Sequence, residues 1–289
     1  MTKKMKWTNK YQVPEHIFNW LIADEYDHQP NTISATTLIS SPRIWALKQL
    51  HKDELTRDCT DMLKIRLGTA IHDSLEKNGV FSCDGFQEKR FFVTFNNFTI
   101  TGKMDAVFNG VIRDTKSTSV WKYVKKEFDD YIKQLSIYKW LLHKNNIEVK
   151  DYAYIDFFFT DWKKSDALKS KDYPQILYAE QRIGLWSIEK TEQYIEDRLE
   201  KFAFALVDLP ECTTEELWQT EDVYACMKKG ALRATKCFTN EDEANAYAAE
   251  KGLIVEKRAG KAKHCSYCDC CNFCTQYQKL KEAGLIDEQ

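Results

Sequence analysis

No apolar run in this 289-residue chain approaches the length of a membrane span, and no apolar signal core follows the Lys-rich N-terminus. The expectation is a cytoplasmic protein without a membrane partner. Charge is equally muted. The 42 Lys and Arg against 44 Asp and Glu leave a formal net charge of −2, so no global field marks a nucleic-acid binder. Any phosphate-binding surface must be local, and three lysine-rich groups are candidates: Lys122/Lys125/Lys126, Lys163/Lys164 with Lys169/Lys171, and Lys257/Arg258/Lys261/Lys263. Internal repeats, low-complexity segments and the G-x4-G-K-S/T phosphate loop are all missing, which excludes a nucleotide-driven motor within these residues.

What is present is a well-supplied interior. Hydrophobic residues make up 43% of the chain and aromatic residues 13%, enough for one large domain or a core with an appended lobe. Helices are predicted at Ser34–Leu38, after Pro42, and over 61–77, where Leu63, Leu67, Ile71 and Leu75 repeat at helical spacing. Further helices are expected over 128–143, 187–206, 214–219 and 240–251, with one more at the end. Strands are predicted over 87–116, Tyr152–Phe159, Gln175–Ile183 and Leu253–Glu256. The order helix, antiparallel meander, helix, strand predicts an α/β fold. It divides into an N-terminal helical segment (1–60), a core (61–209) and a C-terminal accessory lobe (210–289).

The meander carries the chemistry. Glu88–Phe95, Phe98–Phe108 and Val111–Lys116 are rich in β-branched and aromatic residues, separated by Asn96-Asn97 and Asn109-Gly110. Asn-Gly is among the strongest signals for a two-residue type I′ turn. With both turns of that kind, Asp105 lies opposite Asp114 and Glu88 opposite Asp105, with Lys116 on the same face. Opposed like charges are destabilising in a sheet. A hard divalent cation reverses the sign of that cost, because it takes oxygen ligands. Asp, about ten residues, then Asp-x-Lys is the signature of metal-dependent phosphodiester cleavage.

His72 lies on the helix before the meander, one turn after Gly68, where the missing side chain lets the sheet approach. Gln134 and Tyr138 project together from the next helix. Gly68-Thr69-x-x-His72, Gly102-x-x-Asp105, Asp114-Thr115-Lys116 and Gln134-x-x-x-Tyr138, preceded by Ser34-Ala-Thr and Ser41-Pro42-Arg43, resemble the PD-(D/E)XK nuclease superfamily. The match is to its RecB-like branch, which includes the RecB and AddB nuclease domains and the iron–sulfur nucleases of CRISPR adaptation. The resemblance implies a restriction-endonuclease-like core, an antiparallel meander in a mixed sheet flanked by helices. It further implies that His72, Asp105, Asp114 and the Thr115 carbonyl ligate Mg²⁺ or Mn²⁺, and that Lys116 positions or helps deprotonate the attacking water. Gln134 and Tyr138 would steady the site or contact DNA. Glu88 is added from strand register as a second-metal or supporting carboxylate.

Five of the ten cysteines fall between residues 265 and 274. In a reducing compartment that density points to metal ligation. Cys265, Cys268 and Cys274 form C-x2-C-x5-C, the C-terminal trio of the iron–sulfur relatives; Cys265, Cys268, Cys271 and Cys274 form an unbroken C-x2-C series. The relatives' fourth ligand is a cysteine just before Pro-Arg, and here that position is Ser41. Cys271, Cys237, Cys226 and Cys59 are the candidates to replace it, and the occupant is a structural 4Fe-4S cluster or Zn²⁺. Its expected role is to pin the lobe and the basic loop Lys257–His264 against DNA. The chain is thus expected to be a metal-dependent DNA exonuclease of recombination, replication, repair or processing, of the small free-standing kind that phages and mobile elements carry. It would work with DNA and DNA-processing proteins. A structure-specific endonuclease of the same fold, a non-cutting DNA binder and a cysteine-cluster regulator are the alternatives.

Overall fold

The computed structural model describes residues 6–23, 32–78 and 84–286. Along the chain, β1 (Lys6–Thr8), α1 (Glu15–Ile22), β2 (Thr32–Ser34), α2 (Ala35–Leu38), α3 (Pro42–Leu50), β3 (Thr56–Asp58) and α4 (Leu63–Asn78) precede the meander. The meander is β4 (Gly85–Phe95), β5 (Phe98–Phe108) and β6 (Val111–Thr118). Then come α5 (Val120–Val124), α6 (Asp129–Lys144), β7 (Tyr152–Phe159), α7 (Lys164–Ala167), β8 (Tyr178–Gly184) and α8 (Ile188–Ala205). The remainder comprises β9 (Val223–Met227), β10 (Lys236–Phe238), α9 (Glu241–Lys251), β11 (Ile254–Arg258) and α10 (Thr275–Glu282). None of the described helices is long and apolar enough to cross a membrane.

Two compact units result. One comprises residues 1–40 and 56–207, the other residues 41–55 and 208–289. The expected division near 210 was drawn along the chain, whereas in space the segment 41–55 groups with the C-terminal residues. The first unit is a mixed sheet in the order β2-β5-β6-β7-β8, with β4 also paired to β5. Both meander turns take the left-handed conformation at their two central residues: Asn96 and Asn97 at φ 47° and 65°, Asn109 and Gly110 at 49° and 71°. Asn and Gly tolerate that region best, so the turn chemistry sets the hairpin register.

α6 covers one face of the sheet. Phe157 on β7 packs beneath it, with ring centroids 5.6–5.8 Å from Tyr123, Phe128 and Tyr131. Phe158, the next residue, points to the other face, where α4 lies. There a Cβ on Gly68 would come within 2.9 Å of Ser117 Oγ on β6, so α4 approaches the sheet through its glycine, and a larger residue there would have to turn the serine hydroxyl aside.

The helix expected over 61–77 forms as α4, with Leu63, Leu67 and Leu75 exposed. Residues 214–218, where a helix was expected, form turns, and Gln219 makes an isolated bridge to Ala262. The second unit contains an unforeseen antiparallel sheet, β10-β9-β11, packed against Ala244 and Ala248 of α9.

Phe157 has no solvent exposure. Phe157→Ala should therefore lower unfolding free energy by about 3–5 kcal/mol in chemical denaturation; a loss under about 1 kcal/mol would show that this stack is not central.

Candidate functional site

β5 holds β4 along the whole of one edge. On its other edge it changes partner, pairing with β6 over Ala106–Phe108 and with β2 over Thr99–Thr101. Residues 102–105 therefore border a gap between β6 and β2. The register through both turns is the expected one, but the ladder breaks at one position: Lys89 pairs with Met104 and Gln87 with Ala106, while Glu88 and Asp105 do not pair. Glu88 has φ 49°, a left-handed conformation that costs a non-glycine residue about 1–3 kcal/mol. The kink reverses the strand's alternation. Phe86 and Phe91 lie five residues apart, yet their rings sit 5.3 Å from each other, whereas a regular strand would send them to opposite faces.

Asp105 sits at this break. The Thr115 N–H, released from the ladder, donates to Asp105 Oδ2 at 2.7 Å. His72 Nδ1 is 3.4 Å from the same oxygen and 3.9 Å from Glu88 Oε1. Ligand atoms of His72, Glu88 and Asp105 all lie within 4.8 Å of one another. Glu88 also pairs with Lys103. Along one side of Asp105 runs a cleft of about 380 Å³, bordered by His72, Glu88, Thr115 and the aromatic side chains of Phe108, Phe158 and Tyr178.

Asp114 and Lys116 approach Asp105 differently from expectation. Paired with Ile155 and Phe157 in the parallel β6–β7 ladder, they project toward α6, where Lys116 Nζ lies 5.7 Å from the Tyr131 ring centroid. Thr115 projects into the cleft with His72. The carboxylates are thus not a row on one face. They wrap the gap between strands, with Asp105 meeting both sets, because the kink at Glu88 and Asp105 interrupts the alternation that a one-face row requires.

Asp114 is 2% exposed. Its buried Oδ2 lies 2.6 Å from Lys116 Nζ but makes no aligned hydrogen bond, leaving a charged oxygen with unused acceptor capacity. Burial, then the nearby Asp114 and more weakly Glu88, push the Asp105 carboxyl up to about 8, against the opposing pull of Lys116 and the Thr115 N–H. Burial works against the Lys116 ammonium, but Asp114 and Asp105 overcome it and hold its pKa above the ordinary lysine value.

Gln134 and Tyr138 are both buried. Gln134 Nε2 donates to the Tyr138 hydroxyl at 2.8 Å, and Tyr138 packs so closely on Gly102 that a Cβ there would meet its ring at 2.7 Å. Neither lines the cleft. Sequence reasoning missed the cleft's far wall. There Arg113 donates to both oxygens of Asp156, at 3.0 and 2.6 Å, and also pairs with Glu180; the Tyr178 hydroxyl donates to Asp156 Oδ1 at 2.7 Å. The available signal was Asp156 itself, the one charged residue in the strand Tyr152–Phe159.

In the second unit, Cys212, Cys265, Cys268, Cys271 and Cys274 line one small apolar cavity together with Arg43. Burial pushes Cys212 up to about 11 and Cys265 to about 12. Three sequence candidates for a further ligand lie elsewhere. Cys59 belongs to the first unit, with its Sγ 3.8 Å from Asn9 Oδ1. Cys226 donates to the Ala244 carbonyl at 3.3 Å, and Cys237 is exposed on β10. Cys212 stands far from the cluster in sequence, so no spacing argument finds it.

No family model matches the chain. No curated protein matches it either. Among solved structures, the crystal structure of SSO0001 is 18% identical, covers 66% of this chain and 87% of its own, and gives a TM-score of 0.47. The crystal structure of an alkaline exonuclease (LHK-Exo) from Laribacter hongkongensis is 10% identical, covers 62% of this chain and 91% of its own, and gives 0.38. At such TM-scores neither likeness fixes fold or chemistry, and the site is read from its own geometry.

The raised Asp105 carboxyl gives a signed pH dependence. Its folded pKa of about 8 lies above the unfolded value of about 3.9, so the folded state binds the proton more tightly. That stabilisation is fully present below about pH 4 and is lost as pH rises through about 8, a change on the order of a few kcal/mol. In EDTA, thermal stability should fall more steeply across this window for the unaltered protein than for Asp105→Asn, and identical slopes would refute the shift. Glu88→Gly should stabilise the fold by about 1 kcal/mol through strain relief while weakening Mn²⁺ binding at least about tenfold. Calorimetry reads both, and a destabilised variant with unaltered Mn²⁺ binding would remove Glu88 from the site.

Proposed function

We propose that the first unit is a Mg²⁺- or Mn²⁺-dependent deoxyribonuclease of the PD-(D/E)XK type and RecB-like branch, acting as an exonuclease in DNA recombination, replication or processing. One observation carries this reading. Asp105 and Asp114 crowd a buried gap between parted strands beside the Lys116 ammonium, with His72 and Glu88 closing on Asp105 from the cleft. That arrangement costs stability unless a cation joins it.

The donor set fits a hard divalent ion. It supplies the carboxylate oxygens of Glu88 and Asp105 and one imidazole, with ligand atoms already within 4.8 Å of one another, while the buried Asp114 is ion-paired with Lys116 beside them. His72, Glu88, Asp105 and Asp114 would hold it, with the Thr115 carbonyl in support. When bound, such an ion stabilises charge on a phosphoryl group and makes water a better nucleophile at neutral pH.

The chain's own residues supply the rest. In the hydrolysis a water oxygen bonds to phosphorus, the bond from phosphorus to the leaving sugar oxygen breaks, and negative charge gathers on the equatorial oxygens. The Lys116 ammonium, held by Asp114, offers fixed positive charge to those oxygens without reorganisation. Thr115 fixes Asp105 through its N–H, so the carboxylate facing the cleft is already oriented. Tyr138, packed on Gly102 and tied to Gln134, sets the distance between α6 and β5; buried as they are, the two position the strand carrying Asp105. Phe158 and Tyr178 along the cleft offer ring faces on which bases can stack.

Digestion of 5′- and 3′-end-labelled single- and double-stranded DNA with Mn²⁺ or Mg²⁺ tests this, with EDTA and Lys116→Ala as controls. Label should be lost only with metal, at least about a hundredfold more slowly in Lys116→Ala, and the end released first gives polarity. Cleavage by Lys116→Ala at the unaltered rate would sink the site assignment. Failure to cut any form while DNA is still bound would favour a non-cutting binder.

A further inference from the structure

The cysteine cavity lacks a cysteine where the resemblance calls for one, at Ser41. Ser41 Oγ lies 3.2 Å from Cys212 Sγ, so a sulfur stands within hydrogen-bonding distance of the hydroxyl that replaced it. We propose that Cys212 is the fourth ligand of an iron–sulfur cluster held with Cys265, Cys268 and Cys274.

Three features support this set. First, the sulfurs come in pairs from two apolar clusters. Cys268 and Cys274 pack with Leu47, Leu55 and Cys270, whereas Cys212 and Cys265 pack with Leu217, Ala262 and Ile286. Cys271 belongs to neither, and its thiol turns to Asn272 Oδ1 at 3.8 Å. Second, the cavity holds a buried cation. Arg43 is 3% exposed and donates through Nε to Cys274 Sγ at 3.1 Å. Its other hydrogen bonds go to the Leu209 and Pro210 carbonyls and Thr275 Oγ1, none of them an anion. A buried guanidinium calls for negative charge, which four thiolates around a cluster supply, and N–H···S bonds to ligand sulfur are a recognised means of tuning such clusters. Third, the sulfurs are spread. Among the described residues no three cysteine sulfurs lie within 4.8 Å of one another, whereas four thiolates at 2.3 Å from a tetrahedral zinc would sit about 3.8 Å apart. A cluster of several atoms sets its ligands wider than a single ion does.

The inference does not rest on the nuclease reading, and its test needs no activity. The full chain, purified without oxygen, is assayed for iron, acid-labile sulfide and zinc, with visible absorbance and electron paramagnetic resonance of the reduced protein. The unaltered chain should carry about four irons and four sulfides. Cys212→Ser should reduce both below about a tenth. Cys271→Ser should retain them. The double variant Cys212→Ser/Ser41→Cys returns a sulfur to the same place in space and should regain iron, sulfide and the spectrum, which separates ligation from a general folding defect. Iron retained in Cys212→Ser, no recovery in the double variant, or stoichiometric zinc without iron would each overturn the assignment.

Discussion

Everything in the candidate site depends on β5 losing its partner for a few residues. A carboxylate in a fully paired strand is confined to one face, and its neighbours there are fixed by register. Because β6 leaves β5 after Ala106 and β2 joins only at Thr101, Asp105 borders open space on one edge. It can then meet Asp114 and Lys116 from the α6 side and His72 and Glu88 from the cleft side. The same release frees the Thr115 N–H to bond Asp105 rather than the ladder. A conventional sheet would have offered two half-sites back to back.

Much of this was legible in residue order. Asn109-Gly110 and Asn96-Asn97 specify their turns through local backbone energetics, and the expected register followed. Gly68 identified the approach of α4, and the mixed sheet flanked by helices appeared as expected. Other features depend on distant segments. The partner change of β5 requires β2, a strand of three residues with no periodicity to detect. The leucines of α4 marked the helix but not its buried side, because hydrophobic spacing says which residues share a helix face, not whether the sheet takes that face. Glu88 was placed in the site by a register argument that the backbone then breaks at that very residue.

The second unit shows the same limit in sharper form. C-x2-C spacing reveals that sulfurs cluster, since neighbours in sequence are neighbours in space. It says nothing about a sulfur arriving from another stretch of chain, and Cys212 has no motif around it. Arg43 was visible as part of Ser41-Pro42-Arg43, but only its burial against Cys274 reveals a cation without an acidic partner among its hydrogen bonds.

The paired turns of the meander also bear on how the chain reaches this state. Hairpins with two-residue loops carry the least closure entropy and pair on the microsecond scale, ahead of contacts between distant segments. Asp105 and Asp114 are therefore brought together by the quickest contacts available, while the strands are still hydrated and water screens their repulsion. The cost of their proximity falls later, as α6 closes over Phe157 and the local dielectric drops. The late stages of assembly are where an acidic site of this kind weighs against folding, and where a bound cation would ease it.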